Sequence, residues 1–260
     1  MKRILVNGQE AAALPADDLG LDRGIAIFET WRTYGSAPFR LEAHWARLSD
    51  SANTMGIELP DYQGILNEIS YTLGQDVSQR LTLTGSGNRI LRVQPIDQDR
   101  VGRPIRLGTL AWAGLPDLPG SVKHCLRAPW ILASRRLGVD EVLLVDPQGF
   151  LLEANRSNVF AVVDGVLVTP PADGRILAGV TRQALLDAAV QAGLPLEVRP
   201  VCRDERFQEL YVSSTLKELA PVSHLDDQPI GEGPQGRALY AAFRELVLRE
   251  SRAPRAAPAS

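Results

Sequence analysis

The chain has 260 residues, 45% of them hydrophobic and 23% charged, the values of a globular protein with ample core for one large domain or two modest ones. A net charge of −3 argues against a nucleic-acid partner, which would favour a basic face. The two cysteines, Cys125 and Cys202, form neither a disulfide framework nor a ligand cluster, which suits a reducing cytoplasm, and the apolar run Ile4-Leu-Val6 is too short for a signal peptide or a membrane span.

Ile4-Leu-Val6 followed by Asn7-Gly8 predicts a strand and hairpin turn. Phe28 to Tyr34 alternates, is rich in β-branched and aromatic residues, and turns at Gly35-Ser36 towards Pro38-Phe-Arg-Leu41. From Glu42 to Met55 the apolar positions 45, 48, 52 and 55 recur at helical spacing, and a second helical stretch runs from Asp61 to near Gly74. Arg80–Thr84, Ile90–Val93 and Ile105–Trp112 read as strands around the Gly85–Gly87 turn. These elements make an α+β first half, residues 1–113.

Gly114-Leu-Pro-Asp-Leu-Pro-Gly120, with two prolines and two glycines, is the linker. Residues 121–250 then form the second unit. It begins with a helix ending near Gly138. Short strands follow at Glu141–Asp146, Phe150–Glu153, Asn158–Val163 and Val166–Thr169. A helix from Gln183 to Ala192 closes at Gly193, where a left-handed residue is needed. Leu196–Val201 and Glu209–Ser213 are further strands, and Arg237–Leu248 is the last helix. The tail, residues 251–260, has little to bury and is expected to be disordered.

Three of the 28 basic residues are lysines. Arginine serves this chain wherever positive charge alone is needed, so a retained lysine is a candidate for chemistry that a guanidinium cannot perform. An amine can lose its proton on burial and attack a carbonyl carbon. Lys2 is terminal. Lys123, in Ser121-Val-Lys-His-Cys-Leu-Arg127, is the candidate; Lys217 is the other internal lysine. His124 and Cys125 flank Lys123 without the spacing of a metal site, so no metal is expected.

A set of short motifs occurs in order: Asp22-Arg-Gly24, Phe28-Glu-Thr30, Leu41-Glu-Ala-His-Trp-Ala-Arg-Leu48, Lys123, Asp140-Glu141, Glu153-Ala-Asn-Arg-Ser-Asn-Val-Phe160, Thr169-Pro170, Ile176-Leu-Ala-Gly-Val-Thr-Arg182 and Ser213-Ser-Thr-Leu-Lys-Glu218. In content and spacing it resembles the class IV, or fold-type IV, pyridoxal-phosphate enzymes, from about Ile4 to Phe243. These include branched-chain and D-amino-acid aminotransferases and aminodeoxychorismate lyases. The resemblance implies an α/β (α+β) fold of two domains, the larger C-terminal one having a β-barrel-like core flanked by helices. It also implies a homodimer whose pockets lie near the subunit interface, a small amino substrate, and no nucleic acid or membrane.

The resemblance further implies roles. Lys123 would carry pyridoxal 5'-phosphate covalently and shuttle a proton at the substrate's α-carbon. Glu153 would keep the cofactor's ring nitrogen protonated, and Asn158 would fix local hydrogen bonds at a strand entry. Leu177 would pack on one ring face. Gly179, Val180 and Thr181 would present backbone N–H groups and a hydroxyl to the phosphate at a helix start, a position equally suited to a threonine cap. Ser214 and Thr215 would be a second phosphate contact and Arg47 a bidentate cation. His44 reads as a packing or capping residue, and Trp45 and Trp130 as core.

Phe28, Thr30 and Arg127 are the candidate substrate residues; the strand bearing the first two, and Trp31 and Arg32, either lines the pocket or packs within the sheet. A departure lies nearby, for only Ile25-Ala-Ile27 separates Gly24 from Phe28, where the family has a longer loop. Three features favour 4-amino-4-deoxychorismate lyase activity, which releases pyruvate to give p-aminobenzoate. They are the compact chain, Arg127 four residues after Lys123, and Thr84-Gly-Ser-Gly-Asn-Arg89, which lacks a D-amino-acid aminotransferase signature. The alternative is a branched-chain or D-amino-acid aminotransferase using 2-oxoglutarate; a third reading is a non-catalytic cofactor binder.

Overall fold

A computed structural model describes residues 2–10, 13–73 and 75–252. Strands β1 (Arg3–Val6) and β2 (Gln9–Glu10) form the expected first hairpin, with Asn7 and Gly8 both at positive φ. After a single-turn helix α1 (Leu19–Asp22), strand β3 (Ala26–Tyr34) turns back into β4 (Ala37–Pro38). Strands β5 (Val77–Thr84) and β6 (Arg89–Pro95) complete a six-stranded sheet in the order β2-β1-β6-β5-β3-β4. Every pairing in it is antiparallel.

Helices α2 (Leu41–Met55) and α3 (Tyr62–Tyr71) cover one face of this sheet. Leu48, Ala52, Ile65 and Ile69 meet Ile27, Trp31, Leu81 and Leu91 there in one buried cluster. The Asp61 carboxylate caps α3 by accepting from Gly64 N at 2.7 Å. Strand residues alternate between faces, so Glu29, between Ile27 and Trp31, is driven under the helices with them. Phe28, Thr30 and Arg32 leave by the other face. The alternative left open for this strand therefore divides: Trp31 is core, and Arg32 is buried on the Glu218 carboxylate at 2.9 Å.

The second sheet has nine strands. Strands β7 (Ile105–Ala111), β8 (Glu141–Val145), β9 (Leu151–Ala154), β10 (Asn158–Val163), β11 (Val166–Thr169) and β12 (Leu196–Val198) are joined by β13 (Glu209–Ser214) and β14 (Glu218–Leu225). Their order is β12-β11-β10-β13-β14-β7-β8-β9, with β15 (Gln228–Pro229) on β14. Leu107, Leu143 and Leu151 from one end share a core with Val159, Val168 and Val212 from the other, so the sheet curls on itself. Helices α5 (Val180–Gln191) and α6 (Pro234–Arg252) pack outside the curl through Leu185, Leu239 and Phe243 on Phe160 and Leu167, and α4 (Ala128–Leu137) packs through Trp130 on Val142 and Leu144.

Several expectations are corrected. Ile105–Trp112, read with the first half, belongs by hydrogen bonding to the second sheet, parallel to both β8 and β14. Strand β14 was not anticipated, because Pro221 sits inside it; the proline is accommodated beside a register shift between Val222 and His224. Helix α5 starts at Val180, a turn before the expected Gln183, and α6 starts at Pro234. The N–H groups of Gln235 and Gly236 donate to the buried Glu209 carboxylate, which explains that earlier start. Ser251 and Arg252 close α6, while residues 253–260 of the expected disordered tail lie outside the described residues.

Candidate active site

Lys123 follows the linker in an extended segment zipped onto β3. Its carbonyl accepts from Phe28 N at 2.9 Å, Cys125 N donates to the Ala26 carbonyl at 2.8 Å, and the Lys123 N–H reaches Ser51 Oγ on α2 at 3.2 Å. The first sheet thus fixes the backbone of a lysine whose side chain enters a cavity of about 440 Å³. Lining that cavity are Arg47, Arg127, Glu153, Asn158, Leu177, Gly179, Val180, Thr181, Ser214 and Thr215. The expected cofactor residues are brought together, Arg47 from helix α2 on the first sheet and the others from the second sheet and its helices and loops. Of the candidate substrate residues only Arg127 lines it; Phe28 stands beside it, its ring centroid 5.0 Å from Lys123 Nζ, and Thr30 lies further along the same sheet face.

Burial pulls the Lys123 amine down to about 7, reinforced by the Arg47 charge and opposed by Glu29. Burial pushes the Glu153 carboxyl up to about 7, against the pull of a Leu177 backbone hydrogen bond and of Lys123. Near neutral pH each group therefore has access to both protonation states. Asn158 Nδ2 donates to Glu153 Oε2 at 3.1 Å and to the Leu177 carbonyl at 2.9 Å, fixing the carboxylate and the Leu177 segment together.

At the other side of the set, α5 begins with Gly179 as its N-cap and no side-chain cap. The threonine-cap reading is thereby corrected: Thr181 is inside the first turn, and the leading N–H groups have no side-chain acceptor. A Cβ on Gly179 would come 1.9 Å from Asn158 Oδ1, so only glycine permits this approach. Ser213, opposite Asn158 in the β10–β13 register, is buried with its Oγ unpartnered and lines the same cavity. It was missed in the sequence, although its place in the Ser-Ser-Thr run was the available signal.

Arg47 departs from its expected geometry. Its Nε and Nη2 grip Glu29 at 2.6 and 2.9 Å and its Nη1 donates to the Ala178 carbonyl at 2.7 Å. The bidentate partner is therefore Glu29, which leaves one N–H on each terminal nitrogen for an anion. His44 completes the network, with Nδ1 2.8 Å from Glu29 Oε2. It is neither a cap nor simple packing. Burial works to raise the Glu29 pKa, but Arg47 and His44 outweigh it and hold the carboxyl well below the usual range. Glu29 was also missed; a lone acid at an inward position of an apolar strand was its signal. Lys217 is explained structurally, for its Nζ pairs with the buried Glu141 and lies 3.3 Å from Ser157 Oγ. Trp130 is core, as expected, and lines the cavity as well; Trp45 is only partly buried, 4.6 Å from the Tyr62 ring.

An amine that can deprotonate, a carboxyl positioned by an amide, an orphaned hydroxyl, an uncapped helix start and a partly free guanidinium together match a phosphorylated pyridine aldehyde. Comparison with known sequences agrees, for residues 26–225 match the amino-transferase class IV family. The chain belongs to the class IV aminotransferases. Enzymes of this family use pyridoxal phosphate. The chain is 30% identical over 254 residues to a probable branched-chain-amino-acid aminotransferase of Thermotoga maritima, covering 90% of this chain and 93% of that one. A putative branched-chain-amino-acid aminotransferase of Methanocaldococcus jannaschii is 30% identical over 281 residues, with 94% and 96% covered. Among solved structures, a fold IV-transaminase of Curtobacterium pusillum superposes with a TM-score of 0.80 at 27% identity, covering 95% of this chain and 99% of that one. A branched-chain aminotransferase of Thermoproteus uzoniensis shares the fold, with a TM-score of 0.85 at 22% identity and 96% of each chain covered. This class IV aminotransferase thus has the mixed α+β fold with a curled, barrel-like sheet expected from its motifs. No helix among the described residues is long and apolar enough to cross a membrane.

Proposed function

We propose that this chain is a pyridoxal-phosphate-dependent aminotransferase that moves an amino group between an amino acid and a 2-oxo acid, with branched-chain amino acids the first donors to test. The observation that carries the reading is Lys123, an amine brought to about 7 in the same cavity as Glu153 and the uncapped start of α5. Relatives named as aminotransferases along 90% or more of the chain favour transamination over pyruvate elimination, which has Arg127 and chain compactness for support.

Pyridoxal phosphate, when bound, supplies the electron sink that lets an amino acid release its α-proton. The chain's own residues do the rest. Lys123 would be the point of attachment, and its amine would carry the proton to and from the substrate's α-carbon. Glu153, steadied by Asn158, holds a proton at the ring nitrogen. Val180 and Thr181 N–H groups, Ser213, Ser214, Thr215 and the free N–H groups of Arg47 hold the phosphate. Leu177 covers one ring face. A homodimer in the cytoplasm is part of the proposal; the exposed Leu126, Ile131, Leu132 and Leu137, on and before α4, offer an apolar surface near Lys123 for a second copy.

The test is direct. The cofactor-loaded protein is incubated with L- and D-amino acids plus 2-oxoglutarate, and separately with aminodeoxychorismate. Glutamate formed at the expense of an amino acid is the expected product. Release of p-aminobenzoate and pyruvate without amino transfer would make the protein a lyase, and inertness in both assays would make it a binder.

A further inference from the structure

One acid on the buried face of the first sheet is tied to the cavity by a single side chain. Glu29 has no exposed surface, yet its carboxylate takes every donor around it. Oε1 accepts from Arg47 Nε at 2.6 Å, and Oε2 accepts from Arg47 Nη2 at 2.9 Å, His44 Nδ1 at 2.8 Å and the Thr30 N–H at 3.1 Å. A carboxylate can only accept, so the His44 proton sits on Nδ1. Burial lowers the His44 pKa and keeps the ring neutral against the pull of Glu29.

His44, Arg47 and Ser51 follow one another at helical spacing on α2 and share one face of it. That face meets β3 through Glu29 and the start of α5 through the Arg47 bond to the Ala178 carbonyl at 2.7 Å. It meets the Lys123 backbone through Ser51 Oγ at 3.2 Å. An unrestrained arginine samples many rotamers, whereas this guanidinium is gripped along its Nε–Nη2 edge and again at Nη1. Its plane is thereby fixed, with one N–H on each terminal nitrogen left over beside a cavity that Gly179, Thr181 and Ser214 also line.

We propose that Glu29 and His44 are positioning residues for the cofactor phosphate: Glu29 aims the Arg47 guanidinium, and His44 fixes the carboxylate that does so. The inference rests on the reading of Arg47 as a phosphate contact and extends it to two side chains that do not line the cavity. An anion near a phosphate site opposes binding by charge alone, so the orienting effect of Glu29 must outweigh its repulsion. The sign of its removal is therefore informative. Glu29→Gln keeps the shape but sets an NH2 among donors, which releases either Arg47 or His44. Charge alone predicts tighter phosphate binding in that variant, whereas loss of aim predicts weaker binding.

The experiment titrates the apoprotein by fluorescence with pyridoxal phosphate and with pyridoxal, which has the same ring and aldehyde and no phosphate. The ratio of the two affinities reports on the phosphate, because a change at Lys123 or in the fold as a whole moves both ligands together. Glu29→Gln should lower that ratio about tenfold, mainly by weakening pyridoxal phosphate. His44→Leu should lower it in the same direction, and His44→Asn, whose amide N–H can replace the Nδ1–H, should recover part of it. A ratio unchanged in both Glu29→Gln and His44→Leu, or raised in Glu29→Gln, overturns the proposal. Arg47→Met, made together with Glu29→Gln so that no buried anion is stranded, separates the proposal from the reading beneath it. If the double variant lowers the ratio and Glu29→Gln alone does not, Arg47 remains the phosphate contact and the role of Glu29 is overturned. If neither lowers it, both are overturned.

Discussion

An amine and a carboxyl that both titrate near 7 line one cavity, and each is moved there mainly by burial. Only the neutral amine attacks an aldehyde, so the apoprotein should take up pyridoxal phosphate at a rate that rises with pH around a midpoint of about 7. Glu153→Gln removes an anion that helps Lys123 keep its proton, so the midpoint should fall. Stopped-flow absorbance across pH checks both, and a rise that waits until the ordinary lysine range would contradict them. The same shift has a stability consequence. Between about 7 and the usual 10.5 the unfolded chain binds a proton at Lys123 that the fold does not, so this group makes apoprotein stability rise with pH across that window. Lys123→Met should flatten that part of the profile. Arg47 is a different case. Its removal strands the fully buried Glu29, so Arg47→Ala should cost about 3–5 kcal/mol in denaturant unfolding, and adding Glu29→Gln should restore much of it. Lys123 and Glu153 were legible in the sequence because residue type and motif spacing named them. Glu29 and the orphaned Ser213 were not, since their roles follow from what the fold buries beside them.

Among the elements, the β10–β13 pair and the start of α5 meet at one tight contact. Gly179→Ala would place a methyl against Asn158 Oδ1 and disturb the amide that steadies Glu153. Cofactor affinity should fall by about tenfold in a fluorescence titration, the scale of one lost charge-assisted bond, and an unchanged affinity would remove Asn158 from the account. Glu218 plays the corresponding part for α6. It opens β14 at a φ of 58° and accepts from Arg32, Tyr34, Tyr240 and Arg244 with no exposed surface of its own. Glu218→Gln should lower stability by about 3–5 kcal/mol and speed amide exchange in α6. Strands such as β3 and β10 were readable from alternation and turn residues. Strand β14 was hidden by Pro221, and the place of β7 depended on partners more than 30 residues away, Glu141 to Val145 on one side and Val222 to Leu225 on the other. Local pattern specifies a strand but not the sheet that receives it.

At the scale of the whole molecule, two sheets cooperate on one amine: the first holds the backbone of Lys123 and the second supplies Glu153, Asn158 and the Ser213–Thr215 turn. The apolar surface around α4 should be covered by a second copy, so sedimentation at assay concentration should show a dimer, and a fully active monomer would contradict that part of the proposal. The central claim is that Lys123 is the residue to which the cofactor attaches. Borohydride reduction of the loaded protein followed by peptide mass spectrometry tests it most directly. The expected result is one pyridoxyl phosphate adduct, on Lys123, absent from Lys123→Arg. An adduct on Lys217, or a Lys123→Arg variant that still transfers amino groups at the wild-type rate, would contradict it.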